Sequence, residues 1–328
     1  MENRQTNQIP SDYIEEFSNL KRKLETLWDK QYAEDIYENM KEQEQRRCNL
    51  SFYSTPLGDR NRLINLMERI NKSFKFNHCT IHLALYYMDC IHQVYRIKRD
   101  KVVMMMLVCI HLAAQIEDTV TTIPRFCDMN IVVGNVYNVR EFKSVERRIL
   151  RFMKFEMLRP TTASFVQLFS TRFLTQDDFV GYFEEMKRRP IYEKFPRYIS
   201  FEHMYLEILC KLHKVSDYTL KIPEFCSVPP SMLAAVCIAF VRKISLIEPW
   251  TPYLQELTGY SESQIEPYLN PLRLFHEDEI RNELENNNNI NVQPEMPPSE
   301  LPTTSKRRQP LNDDVEPHFH PSKKQKKH

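Results

Sequence analysis

The sequence contains very little glycine: four residues in 328, at positions 58, 134, 181 and 259. No two of them lie close enough together to form a phosphate-binding loop of the GxxxxGK or GxGxxG type. The lack of such a loop argues against a nucleotide-binding α/β fold. Few turn glycines and many helix-forming residues instead favour an all-α protein.

The eight cysteines include no CxxC pair, so the sequence shows neither a metal-ligating cysteine motif nor a disulfide framework. Several lie inside apolar helical runs, namely Cys109, Cys210 and Cys237. We interpret these as buried free thiols of a protein from a reducing compartment. An N-terminal apolar segment of the secretory type is also missing, so no secretory signal is expected.

Charge of either sign is not in excess, since 45 Lys and Arg face 44 Asp and Glu and the net charge is +1. The tail from Asn286 holds seven Lys or Arg and five Asp or Glu, which leaves the rest of the chain at −1. This balance argues against a basic body that binds nucleic acid. Apolar runs are too short for a membrane span, which takes about 20 residues. We therefore expect neither direct nucleic-acid binding nor a membrane partner.

One apolar run stands out in the stretch from Lys101 to Asp118, KVVMMMLVCIHLAAQIED. Apolar residues continue from Val102 to Ala114, with His111 as the interruption. A helix that is apolar on all sides is a buried helix surrounded by others. The character changes within one turn at Gln115, so we expect the helix to emerge at a polar surface there.

Helical periodicity divides the chain into four parts. Residues 1–58 form an N-terminal helical extension, and residues 59–158 hold five helices with the apolar run at their centre. A second set of helices fills residues 159–284, where Met232 to Val241 is again almost entirely apolar. Two domains of similar size, each with an alanine-bearing central helix, suggest a duplication. Residues 285–328 are expected to be disordered, because they cannot form a core.

Local signals predict several helix ends. Four lie in the first domain: Asn77 or Thr80 starts its second helix, Asp100 caps the central one, Pro124 lies in the first turn of the fourth, and Asn138 starts the fifth. Gly259 is expected to cap a helix of the second domain. In the last helix Pro267 and Pro271 lie four residues apart, and we expect a kink or a break there.

Segments in both halves of the chain resemble the cyclin family. They are TIHLALYYMD at 80–89, LVCIHLAAQIED at 107–118, VERRILRFMKFEMLRPT at 145–161, and CSVPPSMLAAVCIAF with PWTPYLQELTGY further on. The resemblance covers about residues 28–276 and implies tandem cyclin-box folds, which are two five-helix domains. The N-terminal LWDKQYAEDIYENMKEQE is most similar to the cyclin J subfamily.

The resemblance implies a regulatory subunit that binds and activates a cyclin-dependent protein kinase in cell-cycle control, with no catalytic site or cofactor of its own. Carried over residue by residue, the kinase-binding positions are Gln115, Ile116, Glu146, Leu150 and Phe155. The family has lysine and phenylalanine where this chain has Gln115 and Ile116. A glutamine offers hydrogen bonds in place of a charge. Losing an exposed ion pair costs about 0–1 kcal/mol, so kinase binding can survive the change, or a kinase with an altered partner residue is bound.

Arg60 matches an arginine of the family that pairs with an aspartate of the next helix, here Asp89. We expect a partly buried structural pair. The surrounding segment DRNRLINL at 59–66 retains only Arg60 and Leu63 of the MRAILVDW-type substrate-docking patch. The resemblance therefore does not carry a groove for RxL-type peptides over to this chain.

His78, His82, Asp89 and His92 lie along one stretch of the sequence. The spacing of His78 and His82 could hold a metal ion, but the sequence places no third ligand beside them. We interpret them as histidines on a helix surface, and no metal site is expected.

Two basic clusters in the tail predict nuclear import. They are Lys306, Arg307 and Arg308, followed by Lys323, Lys324, Lys326 and Lys327. The polar segment between them holds three prolines, so both clusters can reach the acidic groove of a nuclear import receptor together. We expect a nuclear protein, with a cytoplasmic pool compatible with the same signals. The alternatives are a solubilising tail and nonspecific contact with nucleic acid.

Three other functions remain open. One is an interaction scaffold that keeps the fold and has lost kinase activation, for which Gln115 is the support. Another is a transcription-type cyclin without a role in cell-cycle kinase activation. A DNA-binding relative of the general transcription factors would need a basic face, which a body with a net charge of −1 does not favour.

Overall fold

The computed structural model of the chain describes residues 32–51, 57–119, 123–189 and 195–290, with side chains described except at 57–59, 275–276, 279–280 and 282–290. Within these residues there are twelve α-helices, one 3-10 helix and no strand. The predicted all-α class is confirmed. The helical runs predicted before residue 32, and the basic clusters of the tail, lie outside the described residues.

The helices fall into an extension, two domains and a last long helix. They are α1 Ala33–Gln45, α2 Leu57–Phe74, α3 His78–Val94, α4 Arg99–Glu117, α5 Phe126–Val132, α6 Val139–Phe152, α7 Thr162–Ser170, α8 Gln176–Arg188, α9 Phe201–Thr219, the 3-10 helix Pro223–Ser227, α10 Pro230–Ile244, α11 Pro252–Thr258 and α12 Glu262–Ile290. One compact unit ends at Ile280, and the chain from Arg281 forms a second unit, of which residues 281–290 are described.

Helix α4 lies at the centre of the first core and packs against α3, α5 and α6. Residues 106–110 and 112–114 are buried, as expected for a helix that is apolar on all sides. Ala113 and Ala114 are small, so a neighbouring helix can approach closely at this point. Helix α3 is buried from Cys79 to Ile91 without interruption, because it also packs against α7 of the second domain.

Helix α10 has the same role in the second core. It packs against α7, α9 and α11, and its residues 233–241 are buried. The side chain of Arg242 is also buried and makes a bidentate contact with Asp178 of α8, with nitrogen–oxygen distances of 2.8 and 2.7 Å. Each core is thus built around one apolar helix that contains alanines, as the sequence predicted.

Helix α1 of the N-terminal extension packs on the second domain. The Tyr37 ring contacts Phe165 and Phe169 of α7, with centroids 6.3 and 5.8 Å away. The Tyr37 hydroxyl donates a 2.8 Å hydrogen bond to the carbonyl of Thr258. Lys41 adds 2.9 Å contacts to the second domain. The sequence predicted this helix but not the domain on which it lies.

Two polar contacts tie the first domain to the turn that follows α9. The Arg60 side chain of α2 donates a 2.8 Å hydrogen bond from Nε to the carbonyl of Leu220. Lys221 forms a 3.0 Å ion pair with Glu68, also on α2. Side chains of helix α2 therefore contact the second domain at a backbone carbonyl and through a surface ion pair.

Three of the predicted helix ends are confirmed. The side chain of Asn77 accepts a hydrogen bond from the backbone of Cys79, so Asn77 and not Thr80 caps α3. Asn138 caps α6 by accepting from the backbone of Arg140. Gly259 ends α11 at a φ of 74°, a left-handed conformation that glycine adopts without steric cost.

Two predicted starts are wrong. Helix α4 begins at Arg99 with Lys98 at the cap position, so Asp100 lies in the first turn, where its charge still favours the helix dipole. Pro124 precedes α5, which begins at Phe126. The carboxylate of Asp128 reaches back to the backbone nitrogen of Arg125 at 3.1 Å and satisfies that donor. The start of α5 is thus stabilised by the side chain of Asp128, and Pro124 lies outside the helix.

Of the kink or break predicted in the last helix, the break is wrong, because α12 continues through Pro267 and Pro271. Each interior proline removes a backbone hydrogen bond, at a cost of about 3 kcal/mol. Ile265 and Leu272 are buried in the second core on either side of the prolines. Burying two such side chains contributes about 3–6 kcal/mol, which offsets a large part of the cost of about 6 kcal/mol for two prolines.

All eight cysteines are free thiols. Cys109 and Cys237 are buried as predicted, whereas Cys210 is exposed and its predicted burial is wrong. Helix α9 buries Ile208 and Leu212, and position 210 lies about 200° around the helix from Ile208. An apolar run alone did not identify the exposed side of that helix.

Candidate functional site

The C-terminal end of α4 brings two of the predicted site residues to the surface. Gln115 and Ile116 are exposed, Ile116 by 37%, directly after the buried Ala114. The carboxylate of Asp118 accepts hydrogen bonds from the backbone of Asn77 at 2.8 Å and from the hydroxyl of Thr80 at 2.5 Å. These bonds hold the end of α4 against the start of α3.

Helix α6 places Glu146 and Leu150 one turn apart. Phe142 and Ile149 of the same helix are buried, while Glu146 and Leu150 are half-buried at the edge of that face. Leu150 packs against the first core. The side chain of Glu146 is 21% exposed. This edge therefore offers a carboxylate and an apolar side chain to solvent together.

The side chain of His111 lies between the ends of α4 and α6. The amide nitrogen of Gln115 donates a 2.9 Å hydrogen bond to Nε2 of His111, one turn back on α4. The same Nε2 lies 3.9 Å from the carboxylate of Glu146 on α6. Burial lowers the pKa of His111 although Glu146 acts to raise it, so the ring is neutral at pH 7. Gln115 is thus hydrogen-bonded to a neutral histidine, and Glu146 lies nearby without bonding to it. The sequence had marked His111 only as an interruption of the apolar run.

Phe155 lies just beyond α6 in an unusual backbone conformation. Its φ is 61°, in the left-handed region, and that of Lys154 is 53°. A hydrogen bond of 2.9 Å from its backbone nitrogen to the carbonyl of Leu150 holds the turn. The side chain is 69% exposed. A left-handed residue costs about 1–2 kcal/mol, and such strain is typical of functional positions.

The expected pair of Arg60 and Asp89 is in contact and is more deeply buried than expected. Arg60 Nη1 lies 2.5 Å from Asp89 Oδ1, and each side chain is 5% exposed. The bond from Arg60 to the Leu220 carbonyl extends the contact into the second domain. Arg60 is therefore a structural residue at the junction of the two domains. Leu63, the other retained residue of the docking-patch segment, is buried as well.

The histidine stretch is arranged differently from the prediction. His82 is 3% exposed and so does not lie on a helix surface, because the second domain covers this side of α3. Asp89 is used by Arg60, and Asp217 of α9 supplies the carboxylate beside His78 and His82. Burial lowers the pKa of His78 to about 3, so its ring is uncharged at neutral pH.

Glu117 is another titratable group that the sequence reasoning missed. It lies at the end of α4, and burial together with the charge of Asp118 raises its pKa to about 7. The polar sequence QIED gave no sign that one of its two acidic groups is partly enclosed.

The predicted import clusters, from Lys306 to Lys327, lie outside the described residues. Among the helices of the described residues, none combines the length and the apolar character that a membrane crossing requires.

Comparison with known proteins identifies two family models in the chain. The cyclin N-terminal domain matches residues 35–158, and the cyclin C-terminal domain matches residues 160–296.

Curated relatives carry the same family name at low identity. Cyclin-J of Xenopus laevis is 23% identical over 278 residues, which are 81% of this chain and 68% of the relative. Cyclin-A3-1 of Oryza sativa subsp. japonica is 26% identical over 71% of this chain and 58% of its own length. The G2/mitotic-specific cyclin-B2 of Rana japonica is 23% identical over 73% of this chain and 54% of its length. The chain thus spans between about half and two thirds of these relatives.

A solved structure shows the same arrangement of helices. The viral cyclin from herpesvirus saimiri superposes with a TM-score of 0.54 at 13% sequence identity, covering 73% of this chain and 96% of the viral protein. At this identity the likeness concerns the fold.

Proposed function

This chain belongs to the cyclin family, and from that premise we propose that it is the regulatory subunit of a cyclin-dependent protein kinase. The predicted family and the predicted tandem cyclin-box fold are confirmed, and the similarity to a cyclin J agrees with the subfamily expected from the N-terminal segment. The activity itself is our inference. In this proposal the chain has no catalytic role and provides a surface to a kinase.

The observation that supports the proposal is the surface at the ends of α4 and α6. Phe155 is 69% exposed and is held in a strained turn by its bond to Leu150. Glu146 lies one turn before Leu150 and 3.9 Å from His111, to which Gln115 is hydrogen-bonded. Burying a phenylalanine in an interface contributes about 1.5–3 kcal/mol, more than an exposed charge pair does. The apolar part of this surface can therefore carry kinase binding in the absence of the family's lysine.

A charge reversal tests the surface. We expect Glu146→Lys to abolish co-purification of the kinase from cells, because it places a cation beside a desolvated apolar contact. Leu150→Asp is a second variant, although Leu150 also supports the first core. Arg148→Glu is the matched control, since Arg148 is an exposed residue on another side of α6. Circular dichroism verifies that all variants keep their helicity. Unchanged kinase recovery with Glu146→Lys would place the interface elsewhere.

An interaction scaffold without kinase activation is the second candidate. Gln115 favours it, because its amide is already bonded to His111 and offers no charge to a partner. The two functions separate when kinase recovery and phosphorylation of a peptide substrate are measured on the same complex. A recovered kinase that phosphorylates the peptide supports the role of an activator. Recovery without activity supports the scaffold, and Gln115→Lys should then raise the activity if the missing charge is the cause.

The relatives named as G2/mitotic-specific cyclins support a role in cell-cycle control over one in transcription. Mass-spectrometric identification of the co-purified kinase distinguishes the two, because it names the catalytic subunit directly. A transcription-type kinase as the main partner would contradict the cell-cycle proposal and leave the regulatory proposal standing.

Nuclear import through the two basic clusters remains our proposal for localisation. Alanine at Lys323, Lys324, Lys326 and Lys327 should shift a tagged protein toward the cytoplasm, and residues 301–328 should carry an inert fusion partner into the nucleus. Arginine at the same four positions is the control, because it keeps the charge. A fusion that stays cytoplasmic would refute an autonomous import signal.

A further inference from the structure

Three side chains from α3 and α9 converge where the two domains meet. His78 Nδ1 and His82 Nε2 lie 3.1 and 3.2 Å from the same oxygen of Asp217, Oδ1. The three atoms all lie within 4.8 Å of one another. The histidines are four residues apart and so face the same side of α3, whereas Asp217 is 135 residues beyond His82. The cluster therefore forms only in the folded protein with both domains in place.

We infer that His78, His82 and Asp217 bind a divalent transition-metal ion of the Zn²⁺ type, which links the two cyclin boxes. Two imidazoles and one carboxylate are ligands that Zn²⁺ accepts, with water in the fourth position. Metal–ligand bonds of about 2.0–2.1 Å in a tetrahedron place neighbouring ligand atoms about 3.3 Å apart. The two nitrogen–oxygen distances already match that spacing. The two histidine nitrogens lie within 4.8 Å of each other, and small rotations of the rings can bring them to the same spacing.

The surroundings of the cluster suit an ion that enters from solvent. The side chains of His78 and His82 are 15% and 2% exposed, whereas that of Asp217 is 52% exposed. An ion can therefore reach the carboxylate first and keep a water molecule on that side. The ring of His78 stacks on His213 of α9 with centroids 4.8 Å apart, which holds its orientation. Two imidazoles favour Zn²⁺ over Mg²⁺ and Ca²⁺, since those ions prefer oxygen ligands.

The same distances are also those of two N–H···O hydrogen bonds to one carboxylate. The two descriptions differ in the effect of added metal. A hydrogen-bonded cluster gains nothing from Zn²⁺, while a metal site gains a link between α3 and α9 that the unfolded chain lacks. Ligand binding to the folded state raises the temperature of unfolding in proportion to the logarithm of ligand concentration.

Titration of the full-length protein with Co²⁺, after treatment with a chelator, tests the site. We expect one Co²⁺ per chain with the visible absorption of a tetrahedral nitrogen and oxygen site, displaced by Zn²⁺. Asp217→Asn should weaken binding by at least about tenfold, since even changes beyond the ligands cost 10–100-fold. The amide is isosteric, and Asp217 is half-exposed, so the fold is expected to tolerate it. His78→Asn is a second variant that removes a different ligand.

Glu207→Gln is the matched control. Glu207 lies on the same helix, 3.4 Å from His203, and loses its carboxylate in the same way. The Glu207→Gln variant should bind Co²⁺ as the wild type does. Zn²⁺ should raise the unfolding temperature of the wild type and of Glu207→Gln but not that of Asp217→Asn. Failure of the wild type to bind, equal binding by Asp217→Asn and His78→Asn, or a near-ultraviolet thiolate band showing that exposed cysteines hold the metal would each overturn the inference. The outcome is independent of kinase binding, which uses the ends of α4 and α6.

Discussion

Replacement of Asp89 by alanine should be among the most damaging single changes in the first domain. Asp89 and Arg60 are each 5% exposed at the side chain and lie 2.5 Å apart. Removing the carboxylate leaves a guanidinium enclosed at the domain junction, where it keeps its hydrogen bond to the Leu220 carbonyl. Breaking a buried ion pair from one side costs about 3–5 kcal/mol, because the other charge stays uncompensated. This is a large part of the stability of a typical domain.

Removing both partners should cost less than removing either one. Arg60→Leu combined with Asp89→Leu leaves neither charge of this pair buried, and the loss of the donor to the Leu220 carbonyl costs about 1 kcal/mol. Urea unfolding of the single and double variants, followed by circular dichroism, gives the coupling between the two positions. Arg62→Ala, an exposed position on the same helix, is the control and should change stability by less than about 0.5 kcal/mol. Costs that simply add, or an Asp89→Ala variant as stable as the control, would refute the reasoning.

Further predictions concern pH, a second buried pair and the strained turn. The pKa of Glu117 is raised to about 7 from 4.5, so its contribution to stability is full below pH 4.5 and is lost as pH rises through 7. The free energy of unfolding of Glu117→Gln should therefore equal that of the wild type in acid and exceed it at pH 8 by up to about 3 kcal/mol. Parallel profiles of stability against pH for the two proteins would contradict this. Burial acts to raise the pKa of Asp178, but the bonds of its carboxylate to Arg242 lower that pKa below the ordinary value of 3.8. The stability that this ion pair contributes is therefore present above pH 3.8 and declines as the pH falls below that value. Asp178→Asn should flatten the acid end of the stability profile and destabilise the second domain by about 3 kcal/mol at neutral pH, as measured by urea unfolding. Phe155→Gly should relieve the left-handed strain and raise stability by up to about 1 kcal/mol while weakening kinase recovery; weaker recovery without a gain in stability would show that the turn is not strained.

Local patterns in the sequence predicted the helices and their burial. The apolar runs of α4 and α10 had no polar face, and a helix without a polar face is stable only inside a core. The predicted helix caps formed at Asn77, Asn138 and Gly259, because capping depends on groups within three or four residues of one another. The order of the two domains followed from the same patterns, and the family resemblance rested on segments of this kind.

Local patterns failed where a distant part of the chain supplied the decisive contact. Pro267 and Pro271 did not break α12, because neighbouring residues are buried in the second core. His82 carried no mark of burial, because it is covered by the second domain, whose Asp217 beside it lies 135 residues further along. Cys210 was assigned to a buried face because its run is apolar, although only the packing of α9 selects which side is covered.

Composition and periods of three to four residues were enough to predict which segments are helical and which helices are buried. Segments of the same kind carried the resemblance to the family. The packing of distant segments placed Glu146 beside His111, brought Arg60 to the carbonyl of Leu220, and set Asp217 against two histidines of α3. Each of these contacts joins parts of the chain that are far apart in sequence, at distances of about 3–4 Å. Such a distance follows from how whole helices pack, and no local period of the sequence encodes it.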